Sequence, residues 1–337
     1  MEIFRSLKTF LFNHRRKFII SGVVVGSAVA VVHYLRQQEE KRQKYEIDEF
    51  FKVLRRQRHF ETIQLTCEQT TVSLCKRMEK RIIDIINIDL IVADLKINTK
   101  DFLQWEMLKI STFTQICLLV YAQTFLIFVL KIQFAIIGGY LYKNLNEKNE
   151  QINRDLQEKY LSLCVEFMKD GLYDLCEFIK NKVTNIVSGL DLKKKLSITN
   201  VLDIFWSIQA CINNDEFIES IPAYLRIKAE IKKTYDSTLR LIYEETTDIL
   251  STKELTSSCV NSMLNHGFVC LTNELVNILS LDGKSKETTL PTVKILPILH
   301  NMIKSKLNNT YADEWLWDLM AMEKLKVLST NVYESYC

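Results

Sequence analysis

The chain has 337 residues, 47% of them apolar, with 8 Gly, 3 Pro and a formal charge of +3. That apolar share excludes a disordered chain and suffices for a large core, while Gly and Pro at about 3% of residues, against an average near ~12%, favour an all-α fold over one built on many tight turns. A charge so small, with no basic stripe interleaved with aromatics, gives no support for nucleic-acid binding. The small total conceals an asymmetry: residues 1–58 carry 13 Lys/Arg against 6 Asp/Glu, and the remainder carry 31 against 35.

Residues 1–17 form a basic N-terminal targeting segment that ends in His14-Arg15-Arg16-Lys17. Residues 18–35 (FIISGVVVGSAVAVVHYL) bear no formal charge, and at ~1.5 Å per residue they just cross a ~30 Å hydrocarbon core, so they read as a single transmembrane anchor. A cleaved secretory signal is disfavoured because His33-Tyr34-Leu35 stands where a small-residue cleavage site belongs, and a helix kept out of the bilayer is the remaining alternative. Gly22, Gly26 and Ala30 share one face in a small-xxx-small pattern. Basic residues on both flanks leave orientation open. Nine cysteines, odd in number and without a C-x-x-C pair, behave as small buried residues in a reducing compartment and place the body in the cytosol.

Residues 36–58 predict a charged membrane-proximal helix on which Ile47, Phe50, Phe51 and Leu54 make an i, i+3, i+4, i+7 stripe. The cytosolic body spans residues 59–337. Within 101–117, Leu103, Met107, Ile110 and Cys117 line one helical stripe, and Phe102, Trp105, Leu108 and Thr112 line a second. Packing on one core needs a single stripe, so the second marks either deeper burial or a groove for a partner. Trp105, beside Lys109 and preceded by Val92, Leu95, Lys96 and Lys100, suits a hydrophobic groove with a basic rim that accepts an amphipathic helix with acidic flanks. The plainer reading makes Trp105 an ordinary core anchor.

Residues 116–142 are strongly apolar, but Gln123, Lys131 and Gln133 interrupt them and Gly138-Gly139 closes the periodic part. A buried core helix is preferred to a second span because Lys131 in lipid would be costly without a partner. Further helices are predicted over 155–169 and 172–187, stopping at Asp170-Gly171 and Ser188-Gly189. Others cover 199–212, 223–250 after Pro222, and 257–279 with a break near His266-Gly267. Residues 281–297, with Gly283, Ser285, Pro291 and Pro297, read as a loop, and a helix pair over 298–307 and 313–333 closes the chain. No repeat of 20 to 50 residues is evident. The predicted fold is all-α: a single large helical bundle domain with long helices, preceded by an N-terminal transmembrane helix.

No phosphate-binding loop, dinucleotide fingerprint, nucleophile elbow or zincin motif is present. His59, His266 and His300 are far apart in sequence, with no spacing that suggests a metal site or a base and nucleophile pair. The expectation is therefore no enzyme, no catalytic residue, no cofactor, no metal and no small-molecule substrate.

The string Arg55-Arg56-Gln57-Arg58-His59-Phe60-Glu61, continuing to Gln64, Thr66 and Cys67, is similar to a segment of the family of peroxisomal biogenesis factor three, the third peroxin. Supporting matches are Trp105-Glu106 with Leu108-Lys109-Ile110, Ile136-Ile137-Gly138-Gly139-Tyr140, Asp170-Gly171-Leu172, His266-Gly267-Phe268, the KILPIL stretch at 294–299, and Met322-Glu323 leading to Asn331-Val332-Tyr333-Glu334. The resemblance implies a peroxisomal membrane protein with an N-terminal anchor in the lipid and a cytosolic helical domain. That domain would dock the nineteenth peroxin, a soluble chaperone and receptor for newly made peroxisomal membrane proteins. The family's docking groove maps onto Trp105, Leu108 and Lys109, and, with one residue deleted between, onto Leu95 and Lys96, with Val92 and Lys100 beside them. In that picture the partner helix lays Leu/Phe side chains on Leu95, Trp105 and Leu108 while the lysines draw its acidic residues. The alternative function is a membrane-anchored tethering adaptor for organelle inheritance or turnover factors, acting through a second surface.

Overall fold

The computed structural model of the chain describes residues 15–147, 152–213, 220–281, 289–308 and 314–337. The chain divides into two compact units, Met1–Arg58 and His59–Cys337. The first helix, α1 (Arg15–Ile85), contains no Pro and no Gly after Gly26, so nothing in its sequence interrupts it. In the first unit it is described as helical backbone from Arg15. Residues 1–14 of the basic segment, and the side chains at 15–33 and 35, which include all of the anchor but Tyr34, lie outside the described residues. Tyr45, Ile47, Phe50, Phe51 and Val53 are exposed within that unit.

In the second unit, Cys67, Thr71, Cys75, Met78 and Ile82 of α1 are buried at spacings of three and four, the mark of a helix with one face on a core. Asn87 starts α2 (Ile88–Ile97), its Oδ1 accepting from the Leu90 amide at 3.2 Å. Asp101 does the same for α3 (Phe102–Glu147), accepting from the amides of Leu103 and Gln104.

The domain is built around α3. Every residue from 112 to 139 is buried, and among the described residues this is the one helix both long and apolar enough to cross a membrane. Its polar groups explain why it is a protein core instead. Lys131 Nζ donates to Gln64 Oε1 at 2.6 Å and meets Glu68 Oε1 at 3.2 Å. Gln123 donates to Glu79 and Gln115 to the Ile86 carbonyl. Gln133 donates to the Tyr160 carbonyl and accepts from the Cys164 thiol. Thr112 and Thr114 return their hydroxyls to carbonyls one turn back. Each of these donors, which lipid would orphan, has a protein partner on a neighbouring segment or on its own helix, and Thr124 Oγ1 is the one buried hydroxyl of the stretch without one.

The buried part of α3 closes at Gly138-Gly139, and the helix itself runs on to Glu147. The C-terminal helix, Glu323–Ser335, crosses there. A Cβ on Gly139 would stand 2.6 Å from Tyr336 Cβ and 2.7 Å from the Tyr333 carbonyl oxygen, so only glycine permits the approach.

The helices α4 (Arg154–Leu161), α5 (Leu163–Glu166) and α6 (Leu172–Val187) follow, joined between the last two by a π turn at Phe167–Gly171. The expected stop at Asp170-Gly171 is therefore a correction: the chain stays helical, and the glycine is there because a Cβ would overlap the Tyr224 carbonyl. After α7 (Ile198–Asn213), the predicted helix over 223–250 is three pieces: α8 (Ile221–Tyr224), α9 (Ile227–Lys233) and α10 (Ser237–Ser251). Arg226 breaks the first junction with a left-handed φ of 56°. Asp236 caps the start of α10, accepting from the amides of Thr238 and Leu239.

The helix α11 (Lys253–Leu281) runs through His266-Gly267 without the expected break. Pro297, assigned to a loop, lies inside α12 (Thr292–Asn308). The last predicted helix is split into α13 (Glu314–Met320) and α14 (Glu323–Ser335). A two-residue antiparallel pair, β1 (Lys195–Leu196) with β2 (Leu290–Pro291), is the one departure from helix among the described elements. In the second unit α2, α6, α10, α11, α12 and α14 all pack on α3. All nine cysteines are free thiols and six are buried, and burial pushes the Cys67, Cys176 and Cys259 thiols up to about 11.

Candidate partner-docking site

Helix α2, the turn at 98–101 and the first turns of α3 make a helical corner. Ile88 and Leu95 on α2 are buried, with Ile91 and Val92 half-buried beside them, and this stripe packs on α3. The opposite stripe stays in solvent: Leu90 is 62% exposed, Ile97 87%, and Ala93 lies between them at helical spacing. On α3, Phe102 and Leu103 are exposed by nearly 70% and Met107 by 38%. Trp105 is half-buried against the core, and its Nε1 donates to the Thr99 carbonyl at 3.0 Å, which ties the indole to the turn. The Asn98 amide bonds the Asp94 carbonyl, closing the end of α2 on the same turn.

The structure thus sorts the sequence-derived residues. Trp105 and Val92 sit at the boundary of core and surface, and Lys96 and Lys100 are exposed. Leu95 and Leu108 are core residues, 5% and 3% exposed. Lys109 is a correction to the basic rim. Its side chain is fully buried, its Nζ lies 2.8 Å from Glu106 Oε2, and it donates to the Leu190 carbonyl at 2.6 Å. A buried ammonium must be paired and hydrogen-bonded, and this one is committed to the fold. Leu90 and Ile97 were missed by the sequence reading, although Leu90, Ala93 and Ile97 follow an i, i+3, i+7 spacing opposite the Ile88, Val92, Leu95 stripe.

Asp89, in the first turn of α2, meets His300 Nε2 at 3.2 Å and Lys304 Nζ at 3.0 Å, both on α12. The Lys304 hydrogen bond, aided by His300, holds the Asp89 carboxyl below its usual range. The corner is therefore fastened to the body at its start, by this surface network, as well as at its turn.

The described body is helical apart from one two-residue strand pair, packs on a long buried central helix, and exposes a group of apolar side chains at the 88–107 corner. Residues 9–104 and 141–335 match the Peroxin-3 family, and the chain belongs to that family. It is 29% identical over 368 aligned residues to peroxisomal biogenesis factor 3 of Bos taurus, covering 99% of this chain and 98% of that protein. It is also 29% identical over 366 residues to the protein of that name from Homo sapiens (98% and 97%). To peroxisome biogenesis protein 3-2 of Arabidopsis thaliana it is 21% identical over 363 residues (97% and 98%). These relatives are named as biogenesis factors, and the chain has a role in peroxisome biogenesis. Val92, Leu95, Lys96 and Lys100 fall within the first matched segment, whereas Trp105, Leu108 and Lys109 fall in the stretch between the two.

Proposed function

We propose that the chain is a docking receptor at the peroxisomal membrane, anchored by residues 18–35 with its helical body in the cytosol. There it binds the cargo-loaded nineteenth peroxin and supports insertion of peroxisomal membrane proteins. The observation that carries the reading is the helical corner at 88–107, where Leu90, Ile97, Phe102, Leu103 and Met107 are exposed around a half-buried Trp105. Exposed apolar side chains on two packed helices, beside a fixed aromatic anchor, are what an amphipathic helix needs for docking in a groove. Leu95 and Leu108 contribute as part of the core on which Trp105 packs, and Lys96 and Lys100 as the exposed cations that draw acidic residues and speed encounter. Lys109 serves by tying the N-terminal part of α3 to the Leu190 carbonyl.

A titration of residues 45–337 with a peptide of the partner tests this. Trp105→Ala weakens binding by ~2 to 4 kcal/mol, and unchanged affinity refutes the assignment. Because the indole also braces the turn, Met107→Ser is the companion variant. It removes an exposed contact without opening the core, and it weakens binding while leaving the unfolding midpoint unchanged. For the anchor, full-length protein resists alkaline carbonate extraction, and release into the supernatant would exclude a span.

The tethering adaptor remains the second reading. It draws on the exposed Tyr45, Ile47, Phe50, Phe51 and Val53 of the first unit, a surface apart from the Trp105 corner in sequence. Persistence of organelle membrane proteins in cells lacking the chain would favour it.

A further inference from the structure

Among the described residues, the ligand-type atoms of His266, Cys270 and Asp318 lie within 4.8 Å of one another. We propose that these three side chains bind a divalent metal ion of the zinc type. The inference is independent of the docking reading.

The donor geometry carries it. His266 and Cys270 are one turn apart on the same face of α11, and Cys270 Sγ is 3.4 Å from His266 Nε2. With Zn–S near ~2.3 Å and Zn–N near ~2.0 to 2.1 Å, tetrahedral coordination sets sulfur and nitrogen about 3.6 Å apart. The pair already stands at the separation an ion would impose. The third donor comes from α13, where Asp318 Oδ2 is 3.9 Å from His266 Nε2, against about 3.3 Å for nitrogen and oxygen on one tetrahedral ion. The Asp318 side chain is 58% exposed, so rotation about its own torsions closes the difference without moving the backbone.

The helices α11 and α13 pack on one another. Trp315, one turn before Asp318, is buried and lies over Gly267, where a Cβ would come within 3.4 Å of the indole. A Cβ there would meet Val120 Cγ1 of α3 more closely, at 3.0 Å, so the glycine serves the packing of α11 on α3, and the buried Trp315 holds α13 beside it.

The donor set selects the ion. One thiolate, one imidazole and one carboxylate suit a borderline-soft cation, whereas magnesium and calcium take oxygen ligands. Thiolate and carboxylate together balance a 2+ charge. Binding requires Cys270 to lose its proton to solvent, and the partial exposure of His266 leaves a path for the ion and room for a fourth, solvent ligand. The ion would clip the short α13 to the long α11.

The test uses the full chain in detergent, stripped with a chelator and titrated with cobalt(II), then with zinc against a competing chelating dye. The expected result is one equivalent bound, with a thiolate-to-cobalt charge-transfer band that Cys270→Ser abolishes. Cys270→Ser and His266→Gln weaken zinc binding by ~100-fold or more, beyond the ~10 to 100-fold typical of losing an outer-shell partner. Asp318→Asn, at an exposed site that leaves folding intact by far-UV circular dichroism, weakens it by ~10-fold, and Cys211→Ser changes nothing. Absence of the charge-transfer band in the unmodified chain, binding that survives Cys270→Ser, or wild-type affinity in Asp318→Asn would each overturn the proposal. If Cys270→Ser does not fold, the band and Asp318→Asn decide.

Discussion

Lys131 lies in the middle of the most apolar stretch of the body, and its substitution distinguishes a core helix from a membrane span by the sign of the effect. Its side chain is 5% exposed and Glu68, its ionic partner at 3.2 Å, is 29% exposed. At an effective dielectric of ~20, unit charges about 3.2 Å apart attract by roughly 5 kcal/mol, most of which the desolvation of both groups offsets. The intact pair therefore adds little net stability, but breaking it is costly. Glu68→Leu leaves the ammonium with only Gln64 Oε1 as acceptor and costs ~3 to 5 kcal/mol. Lys131→Met leaves a carboxylate that still reaches water, and also leaves Gln64, whose Nε2 has no partner already, without its donor. Its cost is ~1 to 3 kcal/mol. The double variant Lys131→Met with Glu68→Leu costs less than the sum, because no orphaned charge remains. Urea unfolding of residues 45–337, followed by far-UV circular dichroism, gives all three numbers. In lipid, removing the lysine charge would stabilise, so a gain in stability for Lys131→Met, or strict additivity in the cycle, would refute the account of α3 as a protein-enclosed helix.

Two other predictions concern the C-terminal helix. Gly139→Ala gains ~1 kcal/mol of helix propensity, yet the new Cβ meets Tyr336 and the Tyr333 carbonyl well inside van der Waals contact, so thermal melts should show net destabilisation of ~1 to 3 kcal/mol. Gly189→Ala, with nothing within 4 Å of the new atom, is the matched control and should be neutral or slightly stabilising. His59 hydrogen-bonds Tyr333 Oη through Nδ1 at 2.9 Å, and burial lowers its pKa below the ordinary value of 6.5. The unfolded chain then takes up a proton that the folded one refuses. The stabilisation is complete above about 6.5 and fades as the pH falls from there through the folded pKa. Unfolding midpoints measured from neutral pH down to about 5 should show this slope, and His59→Gln should flatten it; an unchanged slope would assign it to other groups.

Much of the architecture was legible in residue order. Scarce Gly and Pro pointed to helices throughout, and the placement of Gln123, Lys131 and Gln133 marked α3 as enclosed by protein, since each polar group needs a partner that lipid cannot provide. Asp236 was a readable cap that the sequence reading passed over. The π turn at Phe167–Gly171 and the left-handed Arg226 were not readable, because they answer to packing: Gly171 meets the Tyr224 carbonyl, and Arg226 reaches Asp174 at 2.7 Å. Pro297 was assigned to a loop by its local preference, and tertiary context put it inside α12.

At the Trp105 corner, sequence alone determined that a Trp with two apolar stripes stood at the start of a long helix, because helical periodicity is a local property. Which lysine faces solvent was decided by the fold. Lys109 is drawn inside by a carbonyl 81 residues away in sequence, while Lys96 and Lys100 stay exposed. His266, Cys270 and Asp318 follow the same rule: their spacing matched no motif, since a coordination shell is set by distances in space and only the packing of α13 on α11 brings the third donor near the other two.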